Sequence, residues 1–216
     1  MSELTEQNDT NKIISIITLG NSQVGKTQLC FRFLDESFEL NSLTTIAYDL
    51  RTKEIKLKNG ELIKLKLWDT AGQERFQRLA LQYVVNAQGI YLVYDITNKL
   101  SFEQLDNWVK LASQKVDINK IPLTIVGNKI DLKDSRVVTN EEGINLAKKY
   151  NASFYETSAL ENTNVKESFL DLIERVYDNI KNLEIQEKDK FKLNENVNNK
   201  ENRNDCCIRN NKNKKR

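Results

Sequence analysis

Residues 13–19, Ile-Ile-Ser-Ile-Ile-Thr-Leu, form a nearly unbroken β-branched apolar run. The octet Gly20-Asn21-Ser22-Gln23-Val24-Gly25-Lys26-Thr27 follows without a gap. Such a run reads as a strand buried on both faces. A buried strand feeding a glycine-rich turn and then a helix is the setting in which G-x-x-x-x-G-K-T cradles phosphate. Its glycines let the backbone curl until several N–H groups converge on phosphate oxygens, and the helix N-terminus adds its dipole. Lys26 supplies a cation toward the β- and γ-phosphates, and the Thr27 hydroxyl can bind Mg²⁺. An ordinary glycine turn does not need all of these residue types together.

The rest of the chain repeats the strand–helix alternation. Buried-type runs recur at 89–95 and 121–127, with a shorter one at 152–155, and helical patterns fall around 25–35, 101–117, 139–149 and 163–181. This predicts βαβ units and a mostly parallel sheet. One pair breaks the pattern. Residues 47–57 and 61–68 flank Lys58-Asn59-Gly60, and Asn-Gly is a strong hairpin signal. In the second arm Ile63, Leu65 and Leu67 alternate with Lys64 and Lys66, so an antiparallel hairpin at the sheet edge is expected.

Two further motifs carry chemistry. Asn128-Lys129-Ile130-Asp131 stands at the end of a buried run. A carboxylate such as Asp131 can accept from both guanine N1–H and the 2-amino group, whereas adenine would leave it unpaired at ~1–3 kcal/mol per oxygen. A regulatory ATPase is therefore the less favoured reading of the phosphate loop. Trp68-Asp69-Thr70-Ala71-Gly72-Gln73-Glu74 closes the hairpin's second arm. Asp69 fits a second carboxylate at a metal site, Gly72 offers a backbone N–H, and Gln73 can orient a water.

Composition removes competing chemistries. There is no histidine, which excludes Ser-His-Asp systems and HExxH metal sites. Three cysteines, Cys30, Cys206 and Cys207, make no disulfide framework and fit a reducing compartment. Hydrophobic residues at 39% suffice for a core, and no run approaches the ~20 apolar residues of a membrane span. The first residues are polar and acidic, and Ser2 stands where N-myristoylation needs glycine. The domain is expected over 11–182. Residues 183–216 read as a flexible, Asn-rich tail with a basic end. The net charge of +2 divides unevenly: the last nine residues hold five basic and no acidic side chains, which leaves −3 on residues 1–207. Nothing here asks for nucleic acid.

With G-N-S-Q-V-G-K-T, W-D-T-A-G-Q-E-R-F and N-K-I-D in this order, the chain resembles the small GTPases of the Ras superfamily over roughly 11–182. The resemblance implies a P-loop NTPase fold of class α/β, a six-stranded mostly parallel sheet with one antiparallel edge strand, flanked by five helices. It also implies GTP and GDP as ligands with Mg²⁺. Thr45 matches the switch threonine that joins Thr27 and Asp69 at the metal. Ser158 and Ala159 match the loop whose backbone helps hold guanine. Lys64–Phe76 and Leu92–Thr97 are similar to Rab proteins. The stretch Thr45-Ile46-Ala47-Tyr48-Asp49-Leu50 stands where Rab proteins meet effectors, yet it departs from their usual I-G-x-D-F. Tyr83–Ala87 and Leu160 also depart from the Rab pattern.

The resemblance implies a monomeric, slowly hydrolysing switch, with Gln73 and Lys26 as the catalytic residues. Its partners would be an exchange factor, a GTPase-activating protein and effectors. Its place would be cytosolic and peripheral on the cytoplasmic face of a membrane, serving vesicle traffic. A Ras-like signalling role and a nucleotide-locked scaffold that never cycles are the alternatives. Cys206-Cys207 resembles a prenylated pair in type, but nine residues follow it. Prenylation after processing, S-acylation beside a basic stretch on an anionic surface, and an unmodified tail all stay open.

Overall fold

Strand pairing organises the molecule. The structure is a computed structural model, and it describes residues 12–35, 48–72 and 77–186. Six strands, β1 (Lys12–Leu19), β2 (Tyr48–Lys56), β3 (Leu62–Thr70), β4 (Gly89–Asp95), β5 (Leu123–Asn128) and β6 (Ser153–Thr157), form one sheet in the order β2-β3-β1-β4-β5-β6. Only β2 runs antiparallel, against β3; every other pairing is parallel. The expected sheet is therefore the observed one.

Burial follows the sequence pattern. Every residue of β4 and β5 is buried, as their continuous apolar runs require, whereas β3 alternates exposed and buried positions. At the hairpin tip Gly60 adopts φ +88, its N–H donates to the Leu57 carbonyl at 3.0 Å, and the Leu57 N–H donates to Glu61 at 2.9 Å. A left-handed residue there favours glycine.

The helices are α1 (Lys26–Asp35), α2 (Gln77–Val84), α3 (Lys99–Glu103), α4 (Leu105–Ser113), α5 (Asn140–Lys149) and α6 over 165–176. Gln104 ends α3 and begins α4, so the two make one broken helix and five helical bodies flank the sheet. The 101–117 pattern is thus a helix that starts earlier and ends sooner. Sequence periodicity gave no sign of α2. The helix carries no acidic first turn, and among its described side chains Ala80, Leu81 and Val84 are buried. Such a helix holds by packing rather than by its own propensity.

Caps fix two starts. Asn98 accepts from the Ser101 N–H at 3.1 Å to open α3. Thr139 and Glu142 form a reciprocal capping box for α5. The Lys99 ammonium and the Thr139 contacts draw the Glu142 carboxyl down to about 2.

On one face of the sheet Tyr91 stacks on Phe169 with centroids 4.0 Å apart, and Phe33 stacks on the same ring at 4.5 Å. Gly89 lies so close to α6 that an added Cβ would stand 2.7 Å from Val176 Cγ2. Cys30 is fully buried on α1, as a core residue should be, and burial pushes its thiol pKa well up. The described residues divide into two units, one ending at Val176 and one beginning at Tyr177; in the second, residues 177–186 are helical.

Candidate nucleotide site

The carboxyl ends of β1, β3, β5 and β6 lie on one edge of the sheet because these strands are all parallel to β1 or linked to it through parallel neighbours. In open α/β sheets that edge is where ligands bind. Each motif found in the sequence begins at one of those ends.

The phosphate loop leaves β1 with Gly20 at φ +137, Gln23 at φ +66 and Gly25 at φ +97. A Cβ on Gly20 would stand 2.1 Å from the Val93 carbonyl oxygen, so both the angle and the space require glycine. Lys26 is 5% exposed, and its ammonium donates to the carbonyls of Gly20 at 2.9 Å and Asn21 at 2.8 Å. Burial lowers its pKa to about 8, with Asp69 opposing the shift. A cation this desolvated gains when an anion arrives.

Asp69, at the end of β3, is 2% exposed. Thr27 Oγ1 donates to its Oδ2 at 2.6 Å and Thr18 Oγ1 reaches its Oδ1 at 3.4 Å. The sequence-predicted pair Thr27 and Asp69 is thus assembled as a hard oxygen set. Gly72 is pressed onto the phosphate loop: a Cβ there would meet the Asn21 carbonyl at 2.2 Å and Ser22 N at 2.4 Å. Thr45, Ile46, Ala47 and Gln73 lie outside the described residues, as do Cys206 and Cys207.

At the base end Asn128 is 1% exposed and ties three segments together. Its Nδ2 donates to the Val24 carbonyl at 2.8 Å, and its Oδ1 accepts from Thr157 Oγ1 at 3.1 Å and Ala159 N at 3.4 Å. Lys129, at φ +70, places its ammonium 2.6 Å from Asp95 Oδ2. Asp131 Oδ1 accepts from Ser158 Oγ at 2.5 Å. Ser158 and Ala159 are both buried in the loop after β6. All the base-side residues named from sequence are therefore gathered in one place.

Contacts that sequence reasoning missed support this frame. Asn21 is a variable position of the motif, yet its Nδ2 donates to Gln104 Oε1 at 2.5 Å and its Oδ1 accepts from Trp108 Nε1 at 2.9 Å. Those bonds anchor the phosphate loop to the start of α4. Beside the site Tyr48, Trp68 and Tyr83 form an aromatic trio, with Tyr48–Tyr83 centroids 4.1 Å and Trp68–Tyr83 centroids 4.8 Å apart. The Tyr48 hydrogen bond raises the Tyr83 phenol pKa. Tyr48 and Leu50 are each 40% exposed, and Asp49 pairs with Arg51 at 2.9 Å. No local spacing announces the trio, since its members belong to three elements.

Comparison with known proteins agrees with this geometry. The family model described as Ras family matches residues 15–178. The GTP-binding protein yptV2 of Volvox carteri is 42% identical over 173 residues, 79% of this chain and 78% of the relative. Ras-related protein Rab-10 of Caenorhabditis elegans is 42% identical over 76% of this chain and 81% of its own length. Human Ras-related protein Rab-8B is 42% identical over 74% and 76%. The family model over most of the chain and relatives of this identity and coverage lead to one conclusion, which the G-x-x-x-x-G-K-T loop and the Asn-Lys-x-Asp turn fit: the chain belongs to the Ras family, as a Rab-like small GTPase.

Proposed function

We propose that the chain is a guanine-nucleotide switch that binds GTP, hydrolyses it slowly to GDP and phosphate, and so regulates vesicle traffic through regulators and effectors. The observation that carries this reading is the Asn128 side chain, which bonds to the phosphate loop at Val24 and, at the same time, to the base loop at Thr157. One nucleotide can then be gripped at both ends.

In this reading the loop Gly20–Thr27 wraps the phosphates and Lys26 neutralises charge that grows on the γ-phosphate in the transition state. The oxygen pair of half-buried Thr27 and buried Asp69 fits Mg²⁺, a hard ion that takes oxygen ligands and retains phosphate and water among them. Thr45 would complete that set. When bound, the ion would supply charge neutralisation between phosphate oxygens. Gln73 orients the attacking water, and Gly72, already against the phosphate loop, offers its N–H to the γ-phosphate. Loss of that phosphate frees Thr45 and Gly72, which is the change that partners read. The exposed Leu50 and Tyr48, the latter a member of the aromatic trio, give those partners an apolar surface.

Asp131, oriented by Ser158, selects guanine. Replacing Asp131 with Asn puts an amide donor where guanine presents donors and where xanthine presents a 2-carbonyl. Preference should pass from GDP to XDP, measured by competition; retained GDP preference would remove Asp131 from base selection. Replacing Gln73 with Leu should leave GTP bound and abolish partner-stimulated phosphate release. Unchanged release would remove Gln73 from the mechanism.

Among the described residues no helix is long and apolar enough to cross a membrane. Membrane attachment in this reading is peripheral, through a lipid on Cys206 or Cys207 with the basic end on an anionic surface. The domain (11–182) works as a monomer ahead of the tail at 183–216. Intact mass of the protein from its own cells tests the lipid, and an unmodified mass discards it.

A further inference from the structure

Arg32 belongs to no motif. It is the seventh residue of α1, the helix that begins with Lys26 and Thr27. Its guanidinium reaches to the far end of the site, where Nε donates to the Ala159 carbonyl at 2.7 Å and Nη2 donates to the Leu160 carbonyl at 2.9 Å. These bonds join positions separated by 127 and 128 residues.

The turn that Arg32 grips has a second task. Ser158 Oγ donates to Asp131 Oδ1 at 2.5 Å, while the Glu161 N–H donates back to Ser158 Oγ at 3.0 Å. The two carbonyls held by Arg32 lie between Ser158 and Glu161 in the chain. Their position therefore sets where the Ser158 hydroxyl sits, and the hydroxyl sets the plane of the Asp131 carboxylate. Reading N1–H and the 2-amino group together requires both oxygens of that carboxylate to lie in the plane of the base. A carboxylate free to turn keeps one hydrogen bond and loses the other.

We infer that Arg32 is a positioning residue for base selection, acting from α1 through the 158–161 turn and Ser158 on Asp131. The inference rests on the guanine reading proposed above. Arginine suits the role because its rigid planar fork donates to two carbonyls from two nitrogens in fixed geometry, whereas the compact ammonium of a lysine on its flexible stem fixes no such plane.

Inosine diphosphate is the informative probe, since hypoxanthine keeps N1–H and lacks the 2-amino group. Equilibrium affinities for GDP and IDP are measured on the full chain for the wild type, Arg32→Ala and Arg32→Lys. The IDP-to-GDP discrimination should fall about fivefold in Arg32→Ala and by less in Arg32→Lys. That loss is smaller than the roughly tenfold or more of a charged hydrogen bond made to the base directly. Single-turnover phosphate release at saturating GTP should stay within about twofold, because the phosphate end is untouched.

A residue that merely tied α1 to the loop would weaken GDP and IDP by the same factor, and that result overturns the inference. If Arg32→Ala does not fold, Arg32→Lys combined with Ser158→Ala decides instead. Effects on discrimination that fail to add place both residues on one path, and additive effects overturn it. Wild-type protein that binds GDP no better than IDP would refute the guanine reading itself, an outcome visible before any variant is made.

Discussion

The two ends of the nucleotide site are built on opposite principles. At the base end, polar side chains hold one another in place: Asn128, Thr157 and Ser158 are all fully or almost fully buried and hydrogen-bonded across three segments, Ser158 to the Asp131 carboxylate. At the phosphate end, geometry comes from left-handed backbone at Gly20, Gln23 and Gly25, and the charge comes from one desolvated lysine. The first arrangement is complete before a ligand arrives. The second holds an electrostatic cost that phosphate relieves. In the proposed reading the base end supplies selectivity through the directed hydrogen bonds of Asp131, and the phosphate end supplies affinity by charge.

The largest break of this contrast is Lys26→Met. Nucleotide affinity should fall by about a hundredfold or more, the scale of lost charge-assisted phosphate contacts. The empty protein should meanwhile gain thermal stability, since a buried charge is gone. A lower melting temperature together with unchanged affinity would contradict the assignment. Gly25→Ala strikes the junction of the two ends, where a Cβ would stand 2.3 Å from Asn128 Nδ2 in a residue at φ +97. Its affinity loss should be roughly thirtyfold and should include lost discrimination between GDP and ADP, as steric overlap and a broken Asn128 bond combine.

Charge at Lys26 also predicts a pH dependence. The empty protein's ammonium titrates at about 8, below the ordinary lysine value, because burial penalises the charged form. Phosphates favour the charged form, so binding takes up a proton above that pH. Affinity should be flat below pH 7 and fall about tenfold by pH 9, with proton uptake visible as buffer-dependent heat in calorimetry. In the empty protein the sign for stability follows the same group. The penalty is full below the folded pKa of about 8 and fades toward the ordinary 10.5, so this lysine's contribution rises as pH increases through that window. The smallest effect belongs to the base end: Thr157→Val removes one hydrogen bond to Asn128 and should weaken GDP about fivefold with no change in its pH profile.

The same contrast explains what could be read from sequence. The phosphate loop, the Asp69 strand end and Asn128–Asp131 were legible because each packs its chemistry into a few consecutive residues that begin at a strand end. The hairpin was legible from Asn59-Gly60 and the alternating face of β3. Helix α2 was not, because eight residues span barely two turns and give too little periodicity. The Arg32 fork, the Asn21 bonds to Gln104 and Trp108, and the aromatic trio were not legible either. Each joins elements far apart in the chain, with separations from 83 to 128 for the hydrogen bonds, and neither partner carries a local signature. Local motifs reveal the groups gathered at the strand ends; the side chains that tie them together emerge only when the sheet brings distant segments together.

A site that grips guanine at one end and cleaves phosphate at the other should distinguish GTP from ATP in a single turnover, measured as phosphate release at saturating protein with Mg²⁺. About one phosphate per bound GTP should be released, slowly, and none above background from ATP. Equal release from both nucleotides, or none from GTP that is demonstrably bound, would contradict this reading.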